Sequence, residues 1–168
     1  MVSSISVGKD SNRIVMNRRG FYCMFPYNKS LAFCKNLNRG ILIMSQGFNH
    51  FDENGNAVMV DVSGKSVTYR TAIATGEIHV GEAIMAAVKE GSVKKGDVLG
   101  VARVAGIMGV KRTSELIPMC HPLPIQKCSV DYELDEANGI IRAFCTVKTE
   151  GKTGVEMEAL TGVQVTLL

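Results

Sequence analysis

The sequence predicts an α+β sandwich, an antiparallel sheet with its helices on one face. Three observations carry this reading. Lys127 to Leu134 alternate polar and apolar, and beyond a turn Ile141, Ala143, Cys145 and Val147 continue the apolar face. Segments 82–90 and 98–115 are helical in pattern, and the second is unusually rich in glycine and alanine. A third helical segment, 155–168, follows directly on the second alternating run, so strands and helices form one layered unit.

The elements follow in order from about residue 44. Phe51-Asp52-Glu53-Asn54-Gly55-Asn56 is turn chemistry, with Asn-Gly supplying a positive-φ position. Val67 to Val80, rich in Val, Thr, Tyr and Ile, reads as a long strand with a break expected at Gly76. Glu82 to Glu90 reads as a helix with Ile84, Met85 and Val88 on one face and Gly91 as its stop. After the loop Lys94-Lys95-Gly96, Asp97 is placed to cap a helix from Val98 to about Glu115. Gly100, Ala102, Ala105, Gly106 and Gly109 give that helix a small side, which another element can approach closely. So apolar a helix is expected to be buried, in part in a subunit interface. Cys128, Val130, Tyr132 and Leu134 then alternate with Lys127, Ser129, Asp131 and Glu133. Asp135-Glu136-Ala137-Asn138-Gly139 is a hairpin loop, and Ile141, Ala143, Cys145 and Val147 continue the buried face on the return strand. Val155 to Leu168 reads as the last helix. The order β, α, α, β, β, α is that of a ferredoxin-like sandwich whose final strand is missing.

Composition divides the chain. Residues 1–43 carry seven Lys or Arg (Lys9, Arg13, Arg18, Arg19, Lys29, Lys35, Arg39) against Asp10 alone, a charge of +6, while the remainder carries −3. The first 43 residues show no sustained periodicity. They are expected to be a basic, disordered leader ahead of a folded domain over 44–168, whether a basic arm, a transit peptide or no genuine part of the protein. The mildly acidic body argues against a broad nucleic-acid surface. No apolar run is long enough to span a membrane. Cys23, Cys34, Cys120, Cys128 and Cys145 are odd in number and lack CxxC spacing, so a reducing cytoplasm fits better than a disulfide framework or a zinc site.

The chemistry gathers around Pro118-Met119-Cys120-His121-Pro122-Leu123-Pro124. Three prolines fix φ and remove three donors, and each pushes its predecessor toward extended geometry. His121 therefore sits on a stiff connector between a helix and a strand, as a general acid or base requires. A histidine that only caps or packs at a turn satisfies the same local sequence. Gly151-Lys152-Thr153 invites a phosphate-loop reading, but Thr146 stands where that motif requires its first glycine, so the NTPase reading fails. A glycine-flanked helix start that favours an anion survives. Glu156 and Glu158 complement the dipole of that helix. Lying two residues apart they point roughly 200° from each other, so they form no carboxylate dyad. His50 and His79 stand alone. Lys94-Lys95, Lys111-Arg112 and Lys152 are either a solvated face or, if gathered near His121, a site for a polyphosphate and a proton transfer without redox cofactor.

Five segments occur in a telling order. They are Met59-Val60-Asp61-Val62-Ser63, Lys95-Gly96-Asp97-Val98, Ala102 to Ile107, Lys111-Arg112-Thr113 with Glu115 to Leu123, and Thr149 with Gly151 to Thr161. Together they resemble the MoaC family, the cyclic pyranopterin monophosphate synthases of molybdenum cofactor (molybdopterin) biosynthesis, over about Asn49 to Leu168. The resemblance implies a ferredoxin-like homohexamer, a trimer of dimers, with active sites between subunits. It implies a lyase that converts a cyclic dihydroguanosine triphosphate to cyclic pyranopterin monophosphate and releases pyrophosphate, with no cofactor, no metal, no nucleic acid and no membrane. By motif, Lys95 and His121 match catalytic positions. Met119, Cys120, His121, Met157 and Glu158 match substrate-contacting ones, and Glu156 supports them. His121 is expected to move protons, Lys95 to bind phosphate or assist the rearrangement, and Glu158 to hold the pterin. The family continues past the last helix into Tyr-Asp-Met-Cys-Lys-Ala, with a catalytic aspartate and lysine, and a closing strand. On this expectation the chain to Leu168 is incomplete and inactive, and the alternative reading is a non-catalytic oligomerisation module.

Overall fold

The computed structural model describes residues 2–9, 12–16 and 22–26, as strands, and residues 50–168 in full. Its centre is an antiparallel three-strand unit: β4 (Thr68–His79), β5 (Ile125–Asp135) and β6 (Ile140–Gly151). β6 lies in the middle, paired to β4 from Thr68↔Gly151 to His79↔Ile140 and to β5 from Ile125↔Thr149 to Asp135↔Ile140. The helices are α1 (Glu82–Glu90), α2 (Val98–Lys111), the short α3 (Thr113–Leu116) and α4 (Glu156–Leu167). The α+β, antiparallel, ferredoxin-like arrangement is as the sequence predicts.

Three further strands, β1 (Val2–Lys9), β2 (Asn12–Met16) and β3 (Tyr22–Pro26), extend the sheet beyond β4 to the order β3-β2-β1-β4-β6-β5. The absence of periodicity expected for residues 1–43 does not describe these strands. The expected boundary near Met44 lies outside the described residues.

The local signals act where they stand. Gly91 ends α1 with φ 64, in the left-handed region. Asp97 Oδ1 accepts from Gly100 N at 2.8 Å and caps α2. Asp135 accepts from the Asn138 side chain at 2.8 Å in the β5–β6 hairpin, and Gly139 there has φ 62. Two boundaries differ from expectation. β4 runs unbroken through Gly76, which pairs with Ala143, because a buried glycine inside a sheet lets other backbone close in without ending the ladder. The predicted helix 98–115 breaks at Arg112 (φ −109, ψ 10), and α3 begins anew at Thr113, whose buried hydroxyl donates to the carbonyls of Gly109 and Val110.

One face of the sheet carries Ala72, Ala74, Val130, Ala143, Cys145 and Val147, packed with Val155, Ala159, Val163 and Leu167 from α4 and with Val110 from α2. The small side of α2 receives α4. A Cβ on Gly106 would meet Thr166 and the carbonyl of Gly162, and one on Gly109 would meet Val165. Thr166 Oγ1 donates to Ala102 O at 2.6 Å. These contacts pair residue 102 with 166 and 109 with 161 and 165, so the helices are antiparallel and the C-terminal end of α2 lies at the N-terminal end of α4. Arg103 ties α2 to β5, donating from Nε to Val130 O at 2.9 Å with its guanidinium 5.5 Å from the Tyr132 ring centre.

Candidate active site

The site grows from the end where α2 finishes and α4 begins. After α3 the chain makes a turn over Ile117-Pro118-Met119-Cys120, closed by Cys120 N donating to Ile117 O at 3.3 Å. Met119, the third residue of this turn, has φ 60, alone among the described non-glycine residues in the positive region. A proline second and a positive φ third is the geometry of a type II turn, where glycine is the ordinary third residue. Methionine there costs on the order of 1–3 kcal/mol, so the surroundings hold the connector in a strained form. The other end is tied down by Thr149, only 1% exposed, whose hydroxyl donates to Pro124 O at 2.7 Å.

This connector brings Cys120 to α4. The Cys120 thiol donates to Glu158 Oε1 at 3.9 Å, a long sulfur contact across 38 residues of sequence. Glu158 is 3% exposed. Burial pushes its carboxyl above the ordinary range, and the neighbouring Glu156 charge adds to the rise. The Cys120 thiol is pushed up as well, by burial first and then by the Glu158 charge. The two groups therefore favour their protonated forms. His121 follows Cys120 directly and is half-buried. Glu156 and Glu158 are parted by the helical turn as the spacing requires. Glu158 faces inward, whereas the Glu156 carboxylate folds back over Gly154, where a Cβ would collide with it. Met157, between them, is exposed.

Beside this cluster, Lys152 Nζ donates to Ser63 O at 2.6 Å and Asp61 Oδ1 accepts from Ser63 N at 2.8 Å. The Asp61–Ser63 loop is thereby fastened to the segment that enters α4. Hydrogen bonds from Ser63, with the Lys152 charge, hold the Asp61 carboxyl below its usual range. Lys152 is thus engaged as a tether.

Lys95 is elsewhere. It is exposed on the α1–α2 loop, beside Gly96 with φ 86, before the N-terminus of α2. The 14 residues of α2 separate it from the connector, about 20 Å at 1.5 Å per residue, and the antiparallel helix pair holds the two ends apart. One chain therefore brings together Met119, Cys120, His121, Glu156, Met157 and Glu158 but leaves Lys95 at the far end. Among the described residues no group of three or more His, Cys, Asp or Glu side chains is placed to hold a metal ion, and no helix is long and apolar enough to cross a membrane.

Sequence reasoning does not find Arg70. It pairs with Thr149 across β4 and β6, and its Nε is buried without an acceptor. The signal is the register of Arg70 with the buried Ala72 and Ala74, which appears only once the strand is known to run unbroken.

The chain is 57% identical over 125 residues to a cyclic pyranopterin monophosphate synthase of Clostridium botulinum (strain Alaska E43 / Type E3), a match covering 74% of this chain and 79% of the relative. It is 56% identical over 121 residues to the protein of that name from Pelobacter propionicus, covering 72% and 76%, and 55% identical over 125 residues to that of Clostridium perfringens, covering 74% and 79%. The MoaC family model matches residues 59–168, which include the Asp61 loop, the proline connector and all of α4. That match covers more than half of the chain, and the chain belongs to the MoaC family.

Proposed function

We propose that the chain is a cyclic pyranopterin monophosphate synthase, a lyase that converts a cyclic dihydroguanosine triphosphate to cyclic pyranopterin monophosphate and releases pyrophosphate. The observation that carries this reading is the docking of the strained Met119–His121 connector onto the buried Glu158. The docking gathers proton-bearing groups at one end of the antiparallel helix pair.

The roles follow from the placements. His121, on a stiff connector and still reachable by solvent, moves protons at the reacting centre. Glu158, buried beside Cys120, holds the pterin part by hydrogen bonding. Glu156 supports the start of α4. Lys95 acts on the phosphates or the rearrangement from a second copy of the chain, because within one chain it lies a helix length from His121. The outer face of α2 favours such a homo-oligomer: Val101 and Val104 are 67% and 62% exposed, and Met108 continues the stripe. A hexamer built as a trimer of dimers provides such interfacial sites. The free thiols of Cys120, Cys128 and Cys145 suit work in the cytoplasm.

The test is incubation of the protein with the cyclic triphosphate, with pyrophosphate and pterin product measured together. Both are expected of an active enzyme; neither would appear if the expectation of an inactive chain drawn from the sequence holds. His121→Ala should lower turnover by at least about a hundredfold, the scale of general acid–base catalysis, with little change in melting temperature. A near-normal rate in the variant would return His121 to a turn-packing role. Absence of both products from the wild type would favour a module that only assembles.

A further inference from the structure

His121 is held in place through its backbone, because among the described residues its imidazole has no hydrogen-bond or ion-pair partner. A general acid or base works only within hydrogen-bond reach of the atom it serves, so whatever fixes the connector fixes the chemistry. Polar anchors stand on both sides of His121. On the Cys120 side they are long: Cys120 N reaches Ile117 O at 3.3 Å, and the Cys120 thiol reaches Glu158 at 3.9 Å. On the Pro124 side the anchor is short, the Thr149 hydroxyl donating to Pro124 O at 2.7 Å.

The short anchor is also sealed. Thr149 is 1% exposed and lies on β6, the middle strand, between Arg70 on β4 and Ile125 on β5. Its backbone is flanked on both sides, so its side chain is what reaches beyond the ladder. A β-branched side chain has few rotamers open to it, which makes the hydroxyl a fixed donor. The ladder is weakest at this point. The β5–β6 register shifts between Ile125 and Lys127, and Pro124, just before β5, has no N–H to give. The Thr149 hydroxyl takes up the Pro124 carbonyl where regular pairing has given out. From Pro124 back to His121 the chain is stiff: Pro122 and Pro124 have φ set by their rings, and Leu123 between them packs against the core cluster. A displacement at Pro124 therefore passes to His121 with little loss.

We infer that Thr149 is a positioning residue for His121, its buried hydroxyl setting, through Pro124 O, where the imidazole stands three residues away. This rests on the reading of His121 as the proton carrier. Thr149 itself touches neither substrate nor reacting atoms; it acts through the connector. Valine has the shape of threonine without the hydroxyl, and serine has the hydroxyl without the methyl group, so the two substitutions separate the bond from the packing.

Wild type, Thr149→Val and Thr149→Ser of the full chain are to be compared by turnover across pH, by melting temperature and by NMR of the histidine rings. The chain has three histidines, His50, His79 and His121, and the His121 signals are assigned by their loss in His121→Ala. Thr149→Val should lower kcat by about tenfold or more, the scale on which a supporting hydrogen bond acts, and displace the pH dependence of kcat. KM should change little, because substrate contacts are untouched. Thr149→Ser should retain most of kcat. In NMR, valine at 149 should move or split the His121 ring signals and leave those of His50 and His79 in place. A valine variant that melts lower but keeps wild-type kcat and wild-type His121 signals overturns the inference, since the bond then only stabilises. A fall in kcat with unmoved His121 signals also overturns it, and so does a serine variant as impaired as the valine one. Should Thr149→Val fail to fold, Thr149→Cys takes its place with the same expectations, a thiol being a weak donor. Absence of pterin product from the wild type ends the enzymatic reading alone. The His121 signals then decide the positioning, moved in support of it and unmoved against it.

Discussion

The two ends of the α2–α4 pair are built from the same small-residue contact and differ in almost everything else. At one end Asp97 caps α2 by an ordinary hydrogen bond, Gly96 takes the positive φ, and Lys95 stands in solvent. At the other, a methionine takes the positive φ, a carboxyl group is buried against a thiol, and the Arg70 Nε on β4 is buried without a hydrogen-bond partner. The first end follows the local rules of folding and the second breaks three of them. Departures of this kind persist where the rest of the structure over-determines them, and they concentrate where chemistry is done. On the function proposed above, the strained end is the substrate site and the relaxed end lends its charge to another copy.

The largest effect should come from the contact both ends share. A Cβ on Gly162 would lie 2.5 Å from Cys145 Sγ and 2.6 Å from Val110 Cγ2, in a region with no spare volume. Gly162→Ala should therefore destabilise the protein by about 1–3 kcal/mol, the usual cost of overpacking, read as a lowered denaturation midpoint. A neutral result would mean that the helices part easily and do not hold the two ends in place.

A smaller effect should come from the strained turn. Met119→Asn puts a residue that tolerates positive φ at the third position and should stabilise the chain by up to about 1 kcal/mol. Turnover should fall at the same time if, as proposed, the methionine contacts substrate. Loss of stability instead would show that packing of the Met119 side chain outweighs the strain.

The smallest effect should be visible only through pH. Glu158 has its acid form favoured in the folded state, so the folded chain holds that proton more tightly than the unfolded one. The penalty for ionising it is absent below the ordinary carboxylate range and complete once pH passes the raised folded value. Glu158→Gln should thus melt like wild type near pH 4 and progressively above it as pH rises to 8, since glutamine carries no charge to bury. A difference that shrinks with rising pH would mean the ionised carboxylate is better satisfied than its burial indicates.

Much of the relaxed end is legible in the amino-acid sequence. Asp97, Gly91, and the hairpin from Asp135 to Gly139 each act through a side chain or φ preference within a few residues, and local chemistry decides them. The alternation in β5 and β6 declares its buried face for the same reason. The strained end is legible only in part. The prolines mark the connector and the motifs mark Glu158, but methionine carries no signal for positive φ, and the Cys120–Glu158 contact spans 38 residues. Gly76 misleads because glycine punctuates loops and also permits close approach inside sheets. β1 escapes notice because its alternation over Ser4-Ile5-Ser6-Val7 is too short to stand out against the basic composition. Arg70 needs the β4 register before its burial has any meaning.

The central claim is that a working site joins the strained end of one copy to the relaxed end of another, and subunit complementation tests it most directly. His121→Ala and Lys95→Ala chains, each inactive alone, are to be unfolded together, reassembled in equal amounts and assayed for pyranopterin product. If His121 and Lys95 meet across subunits, random mixing restores about a quarter of the sites, those pairing the intact histidine of one chain with the intact lysine of the other. Mixed assemblies that form, shown by co-purification on a tag carried by one variant, yet stay as inactive as either parent would contradict it. His121 and Lys95 would then have to act within a single chain, against the helix length that separates them.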